Sequence, residues 1–330
     1  MSVDRWQALS KRIQDGPILT RWHWLGWNFS TGPEGFNHFS SLTIAALDAV
    51  DQLMPGYAEE MIKRLEGMGG REGNMRDYES IVAWLAELLV VHHLVTYRWE
   101  GLCTFSMEPT AGNSPKNPEI LIGLEGLGSL GVEVKSPDLT NHRSLRSRRP
   151  WQILARTELD PADLDAAVTL PVDNKIKDFL VSADAKFANF RAADPAFRSI
   201  LVIVWDDFVN EPLTALLAPS CGLLTPNSFH RDPAGNAIEY PNVDAVLLMR
   251  HQHQLRLGMA NRPPAGDRRH FLDYGSYDAF PPHVLVPNPA GRVLEVKWVE
   301  ALRGWRPESL SHMAEYVPGE LIVWVDCDDK

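Results

Sequence analysis

Two neighbouring stretches, Asn117-Pro118-Glu119-Ile120-Leu121-Ile122 and Gly131-Val132-Glu133-Val134-Lys135-Ser136-Pro137, decide the fold class of this chain. Both are short apolar runs bounded by Gly and Pro, which is typical of β-strands. Between them, Glu125-Gly126-Leu127-Gly128 predicts a turn that folds the second strand back on the first. The sequence therefore predicts a hairpin at the centre of a sheet.

Strand alternation places charged side chains of this hairpin together. Glu133 and Lys135 are predicted on one face of their strand, because alternate side chains share a face. Val132 and Val134 are then predicted to point into the core. The paired strand brings Glu119 alongside, so two carboxylates and one ammonium converge.

Such a group of side chains has a chemical use. Mg²⁺ is commonly held by one or two carboxylates together with substrate phosphate oxygens and waters, a role that Glu119 and Glu133 fit. A lysine beside the metal can orient the attacking water or stabilise developing charge, a role that Lys135 fits. A Glu-x-Lys strand is also common as a solvated face or a cross-strand ion pair, and that alternative stays open here.

At Pro118-Glu119 and Glu133-Val134-Lys135 the sequence resembles the PD-(D/E)xK nuclease superfamily, which shares the restriction-endonuclease-like fold. The family pattern is an acid at the start of one strand, often after proline, then acid-x-Lys on the next. The resemblance implies metal ligands at Glu119 and Glu133, a catalytic Lys135, and Mg²⁺ as cofactor, for which Mn²⁺ can substitute. The first acid of the family is usually Asp, and Glu119 is one methylene longer.

A further metal ligand is expected on the preceding helix. Asp77 is predicted to cap a long helix running to about Val95. The resemblance implies that this helix carries a glutamate that reaches the metal, and we assign Glu79, with Glu87 as the alternative. A glutamate in the first helical turn is favoured by the helix dipole in any case.

The order of elements agrees with the same family. From Asp77 to Met249 the pattern predicts helix, three strands, helix, strand, helix, strand. The expected fold class is α/β, with a restriction-endonuclease-like core in which helices flank a mixed central sheet. We expect a helical N-terminal extension over residues 1–75, the core over 76–255, and a small α+β extension over 256–330 packed on that core.

Two basic segments oppose the net charge of −11. One runs from Lys135 to Arg156 and the other from Arg250 to His270. Arginines beside an aromatic ring suit a phosphate backbone and an unstacked base, although a solvated charged loop gives the same pattern. The residues predicted to contact nucleic acid are Arg143, Arg146, Arg148, Arg149, Trp151 and Arg250.

Three other groups of charged or polar residues are further candidates for a functional site. Val293-Leu294-Glu295-Val296-Lys297 repeats the Glu-x-Lys pattern, but no acid begins its expected partner strand, so an exposed hairpin is predicted. His251 and His253 could be metal ligands, or contact phosphate, or have no specific role. Lys186, on the helix predicted over 174–190, is a weak candidate for the active site.

Composition places the chain among soluble globular proteins, with 45% hydrophobic and 23% charged residues. The polar start, Met1 to Gly16, does not resemble a secretory signal, and the longest apolar run, Ile81 to Val95, is too short to span a bilayer. The three cysteines show no metal-ligand spacing. We therefore expect a cytoplasmic protein with no membrane association.

The functional hypothesis is a Mg²⁺-dependent nuclease that hydrolyses phosphodiester bonds, with DNA favoured over RNA, of a restriction, repair or anti-phage type. The alternatives are a ribonuclease or toxin-like nuclease, and a noncatalytic nucleic-acid-binding or scaffold protein that keeps the fold. Cutting both strands of a duplex takes two active sites, so a homodimer is compatible with the resemblance.

Overall fold

The computed structural model of this 330-residue chain describes residues 3–30, 37–111, 117–149, 151–156, 168–206, 210–320 and 322–324. Within these ranges the architecture is α/β, with a seven-stranded mixed sheet between layers of helices. The α/β class and the mixed sheet flanked by helices, both predicted from the sequence, are confirmed.

The central sheet has the strand order β1-β2-β3-β6-β7-β8-β9. The first three strands form an antiparallel meander, β3, β6 and β7 run parallel, β8 is antiparallel to β7, and β9 is parallel to β8. A small second sheet has the order β10-β4-β5. The strands are β1 (Cys103–Met107), β2 (Ile120–Leu124), β3 (Gly128–Lys135), β4 (Trp151–Ile153), β5 (Val168–Thr169), β6 (Arg198–Trp205), β7 (Ala245–Arg250), β8 (His283–Pro287), β9 (Gly304–Trp305) and β10 (Ile322–Trp324).

Helices cover both faces of the central sheet. Two 3₁₀ turns lie at Pro307–Leu310 and Ala314–Tyr316. The α-helices are α1 (Val3–Gln14), α2 (Pro17–Thr20), α3 (Gly26–Phe29), α4 (His38–Leu53), α5 (Tyr57–Gly67), α6 (Met75–Thr96), α7 (Thr140–Arg146), α8 (Asp173–Ala193), α9 (Asn210–Leu217), α10 (Gln252–Met259) and α11 (Val296–Leu302).

Strand β6 shows why the sheet needs both layers. It is apolar along its whole length, as expected for a parallel strand buried on both faces. Ile200 and Val202 belong to one hydrophobic cluster with α4, α5 and α6, whereas Leu201 and Ile203 belong to another with α8. The first cluster also takes in residues from 13 to 302, so the three predicted segments of the chain share one core.

Helix α6 is the long core helix of this first layer. It begins after Asn74, whose side chain accepts a hydrogen bond from the backbone N–H of Arg76, so the predicted cap at Asp77 is wrong. Among the described residues α6 alone is long and apolar enough to cross a membrane, but 72% of that window is buried inside the fold. This burial is typical of a core helix in a soluble protein.

Two sequence predictions of local structure fail. The segment around Lys297, predicted as a hairpin strand, forms the start of α11. The sequence over 141–156 has no periodicity, which indicates a loop, but residues 141–146 belong to helix α7 and Trp151 begins β4. Short strands and short helices carry too little periodicity to be distinguished reliably from sequence.

Three buried histidines form hydrogen bonds to backbone carbonyls in the region that follows α10. The Nε2 atoms of His93, His251 and His283 lie 2.8, 2.8 and 2.9 Å from the backbone carbonyls of Ala301, Phe271 and Tyr274. Nε2 therefore carries the proton and donates a hydrogen bond, which the carbonyl oxygen accepts. Burial lowers the pKa of His93 to about 3 and that of His251 to about 4, and lowers the pKa of His283 well below its usual value.

Lowering the pH should therefore weaken the fold. Unfolded histidines take up protons near pH 6.5, whereas the folded ones resist protonation until about pH 4 or below, so their contribution is complete above 6.5 and is lost as the pH falls. Each histidine should reduce the free energy of unfolding by up to about 1.4 kcal/mol per pH unit in this window. Urea denaturation at pH 7.5, 6 and 5 measures this slope.

His251→Gln isolates one contribution, because the Gln amide can still donate to the carbonyl of Phe271 but does not titrate. The variant should be less stable at pH 7.5 and should lose less stability than the parent between pH 6.5 and 5. His312→Gln, at an exposed position, is the control and should keep the slope of the parent. An unchanged slope in His251→Gln would contradict the assignment.

Candidate functional site

The hairpin of β2 and β3 brings the predicted acids together. Ile120 pairs with Val132 in antiparallel register, so Glu119, just before β2, lies beside Glu133 on β3. The ladder continues beyond β2, where the backbone N–H of Glu108 donates to the carbonyl of Glu119 at 3.0 Å. The backbone position of Glu119 is thus fixed by neighbours on two sides.

Glu133 is the centre of the site. Its side chain is 0% exposed, although the sequence predicted Glu133 on the face opposite the core. That face is covered by α8, which supplies a second lysine. The Nζ atoms of Lys135 and Lys186 lie 2.5 and 2.6 Å from the same oxygen, Oε1 of Glu133. Lys186 also lies 3.7 Å from Oε1 of Glu119, so one ammonium links both carboxylates.

The other oxygen of Glu133 makes the site suitable for a cation. Glu133 Oε2 is buried and has no hydrogen-bond partner among the described residues. A charged acceptor left in this state is costly, and a cation beside it would compensate. No three His, Cys, Asp or Glu side chains of the described ranges form a ready metal cage. The pair Glu119 and Glu133 instead offers the two carboxylates with which Mg²⁺ commonly binds phosphate substrates.

A carboxyl group of α6 interacts electrostatically with this site. Burial, followed by the charge of Glu119, raises the pKa of Glu87 to about 8, and Glu108 and Glu133 act in the same direction. Burial and the charge of Glu133 also raise the pKa of Glu119. Arg64 opposes this repulsion, since its Nη1 lies 3.4 Å from Glu87 and its guanidinium also pairs with Glu108. The site therefore carries an excess of acid over cation on this side.

Glu79 occupies a different position from the one predicted. Its carboxylate binds Arg256 through two hydrogen bonds of 2.6 and 2.9 Å and accepts a third from Thr140 at 2.8 Å. Glu79 precedes Glu87 by eight residues, or about 12 Å along the helix axis. These bonds satisfy its charge, whereas Glu87, the alternative in the sequence, is the residue of α6 on which the charges of Glu119 and Glu133 act.

The predicted nucleic-acid contacts fall into two groups. Arg146 is buried near Asp206, Arg149 donates to the carbonyl of Val168, and Arg250 pairs with Glu315. These three side chains already have partners within the fold, and their contact with nucleic acid stays a prediction. Arg148 is exposed and Trp151 is 42% exposed, so both remain available to a ligand, whereas Arg143 is half-buried and pairs with Glu79 at 3.8 Å.

The repeated Glu-x-Lys pattern does not form a second site. Glu295 pairs with Arg198 at 2.6 Å, and Lys297 pairs with Glu100 at 3.3 Å, so the two side chains have unrelated partners. His251 is fully buried and hydrogen-bonded to the carbonyl of Phe271, which is the arrangement of a core histidine rather than a metal ligand.

Sequence reasoning missed the contribution of α5. Arg64 of this helix pairs with Glu87. Burial raises the pKa of the Tyr57 hydroxyl, and the charges of Glu87 and Glu119 raise it further. Both residues lie in the segment that was predicted as an extension outside the core. The available signal was the helical spacing of Tyr57, Met61 and Leu65, which marks a face buried against another element.

Comparison with protein-family models, curated proteins and solved structures gives no match. The geometry of the site and the order of the elements therefore carry the functional assignment.

Removing the charge of Glu87 should stabilise the protein at alkaline pH. Below about pH 8 this carboxyl keeps its proton in the folded state, but above it the charge adds to the repulsion with Glu119. Unfolding releases this proton once the pH exceeds its ordinary pKa of 4.5, so Glu87→Gln should raise the melting temperature at pH 9, where the whole pKa shift acts, and change it little at pH 4. Differential scanning calorimetry measures both.

The matched control is Glu60→Gln, which removes another carboxylate that pairs with Arg64, at 3.2 Å and on the exposed side. This variant should give no stabilisation at pH 9. Equal effects of the two substitutions at pH 9 would contradict a repulsive cluster around Glu87.

Proposed function

We propose that this chain is a metal-dependent nuclease that hydrolyses phosphodiester bonds, with DNA as the favoured substrate. The observation that carries the proposal is the convergence of Glu119, Glu133 and Lys135, from two paired strands, on one site with an unpartnered buried carboxylate oxygen. A structural ion pair alone would not explain this oxygen, or the raised pKa of a further glutamate beside it.

The topology supports a restriction-endonuclease-like core within this α/β fold. The resemblance implies a helix, three strands, a helix and a strand, which correspond here to α6, then β1, β2 and β3, then α8 and β6. Glu119 lies just before the second strand of the meander and Glu133 lies on the third, as the motif requires. The short helix α7 and the strands β4 and β5 are inserted between β3 and α8.

Glu119 and Glu133 would hold Mg²⁺ or Mn²⁺, with Glu87 nearby. When bound there, the metal would make a coordinated water more acidic and neutralise charge on the phosphate. Lys186 now links the two carboxylates, so its ammonium would be the group that gives way as a cation enters. Arg64 holds the acidic side of the site in place by pairing with Glu108 and Glu87.

Lys135 is the residue assigned to the reacting phosphate. Its side chain is 24% exposed, whereas its partner Glu133 is fully enclosed. The ammonium can therefore keep its contact with Glu133 and still donate hydrogen bonds outward, to the attacking water or to a phosphate oxygen. An uncharged residue at this position would lose both contributions.

The exposed cations suggest how a strand would approach. Arg148 and Trp151 lie in the segment that follows β3, where an arginine can contact phosphate and an indole ring can stack on a base. We further propose a cytoplasmic protein, and a homodimer for cleavage of both strands. A ribonuclease or toxin-like nuclease would use the same chemistry, and the substrate assay below separates them.

One observation favours a noncatalytic alternative. Two ammonium groups already neutralise Glu133, which would suit a nucleic-acid-binding or scaffold protein that keeps the fold without cleaving. Cleavage and metal binding are therefore tested separately.

Divalent cations should stabilise the protein through the carboxylate pair. Mg²⁺ or Mn²⁺ should raise the melting temperature of the parent, because a ligand that binds only the folded state shifts the unfolding equilibrium. The shift should disappear in Glu119→Gln and Glu133→Gln. Glu79→Gln, which removes a charge paired with Arg256 on the same protein, should keep the shift although its melting temperature is lower. A shift retained in Glu133→Gln would place the metal elsewhere.

Cleavage should depend on Lys135. With Mg²⁺ or Mn²⁺, the parent should cut DNA, tested as plasmid, linear duplex and single strand, and RNA serves as the competing substrate. Lys135→Ala should lower the rate by about 10²-fold or more, since it removes a group that stabilises charge at the reacting phosphate. Lys297→Ala, the lysine of the repeated pattern, is the matched control and should cut like the parent.

Equal activity of Lys135→Ala and the parent would reject the site. A parent that cuts neither DNA nor RNA, yet binds the metal through Glu133, would favour the noncatalytic alternative.

A further inference from the structure

A second polar site lies at the C-terminal end of α6. It is a cavity of about 380 Å³, and no residue of the carboxylate site lines it. Its polar lining consists largely of cationic or nitrogen-bearing side chains: Arg98, Arg269, Arg303, His92, His93 and His270. A cavity with such a lining favours an anion, although the chain as a whole has a net charge of −11.

Carboxylates compensate only part of the positive charge in this cavity. The lining contains one acid, Asp273, which accepts hydrogen bonds of 2.9 Å from Nε of Arg269 and 3.0 Å from the backbone N–H of Gly275. This acid neutralises Arg269. Arg98 and Arg303 form no ion pair with any carboxylate of the described ranges, so two guanidinium charges remain in excess.

One imidazole nitrogen that faces this region also lacks a hydrogen-bond partner within the described ranges. His270 Nδ1 is buried and has no hydrogen-bond partner among the described residues. Burial lowers the pKa of His92, and the neighbouring His270 lowers it further. In the tautomer that carries the proton on Nδ1, His270 can donate from this atom to an oxygen of a bound anion.

An aromatic wall stands beside these cations. The ring of His93 stacks on Tyr274 at 3.6 Å, with 7° between the planes, and Tyr97 contacts the same imidazole edge-on at 6.0 Å. His93 is held in place by its hydrogen bond to Ala301. A cavity that combines guanidinium groups with flat rings suits a phosphate carried by an aromatic base.

We propose that this cavity binds the phosphate group of a small phosphorylated ligand, up to the size of a mononucleotide. A phosphate offers bidentate acceptors for Arg98 and Arg303 and further oxygens for the imidazoles. The binding site is distinct from the proposed nuclease centre. His92 follows Glu87 by five residues, which separates them by about 140° around the axis of α6. The cavity therefore faces away from the carboxylates, and a free ligand fits it better than a strand crossing the nuclease site.

Binding can be measured by calorimetry on the full chain, without any cleavage assay. The probes are inorganic phosphate, adenosine monophosphate, adenosine without phosphate, and a 5′-phosphorylated oligonucleotide. Inorganic phosphate and adenosine monophosphate should bind, and adenosine should bind at least about tenfold more weakly than its monophosphate because it lacks the charged group.

Arg98→Glu is the diagnostic variant, because Arg98 is exposed and has no partner among the described residues. It should weaken binding of the monophosphate by about tenfold or more, and Arg98→Lys should retain part of the affinity. Arg76→Glu makes the same charge change at the exposed start of α6, about 30 Å away, and should bind like the parent. Glu133→Gln should also bind like the parent, so this result does not depend on the nuclease proposal.

Three results would overturn the proposal. They are the absence of binding by phosphate and adenosine monophosphate, binding of the oligonucleotide alone, and equal affinities of the parent and Arg98→Glu.

Discussion

The burial of Glu133 in the middle of the sheet is the constraint on which the site depends. An unpaired carboxylate in such a place costs several kcal/mol, so the fold must bring cations to it. Lys135 comes from the same strand, whereas Lys186 comes from α8, which follows β3 in the chain only after a long insertion. Correct docking of α8 is thus coupled to neutralisation of this one side chain. The apolar face of the helix adds hydrophobic packing against the sheet.

The acids around Glu133 work against stability. After the larger effect of burial, neighbouring carboxylates raise the pKa of Glu87 and that of Glu119, and Arg64 only partly offsets the repulsion. A fold selected only for stability would not gather these groups beside a strand whose carboxylate already has two lysines. Functional sites commonly keep such unfavourable interactions because the bound state relieves them.

Much of the fold could be predicted from the sequence, because its signals are local. The hairpin around Glu119 and Glu133 follows from Gly and Pro boundaries, and the buried strand β6 follows from its continuous apolar run. The site was harder, because helical spacing shows which residues share a face but not what that face meets. Glu79 and Glu87 both fit the pattern, and only the position of Arg256 separates them. The strand predicted at Lys297 is wrong for another reason, because a short apolar run suits either a strand or the start of a helix.

The packing of α5 and α6 has a practical consequence for dividing this protein. The motif lies within residues 76–255, but Arg64 comes from an earlier helix, and the apolar side of α6 rests on α4 and α5. A recombinant fragment cut at residue 76 would retain every acid of the motif while exposing a wide hydrophobic surface to water. Such a truncated product would tend to aggregate, and its inactivity would say nothing about the chemistry. The smallest unit that can report on this site therefore includes the helices that precede the motif.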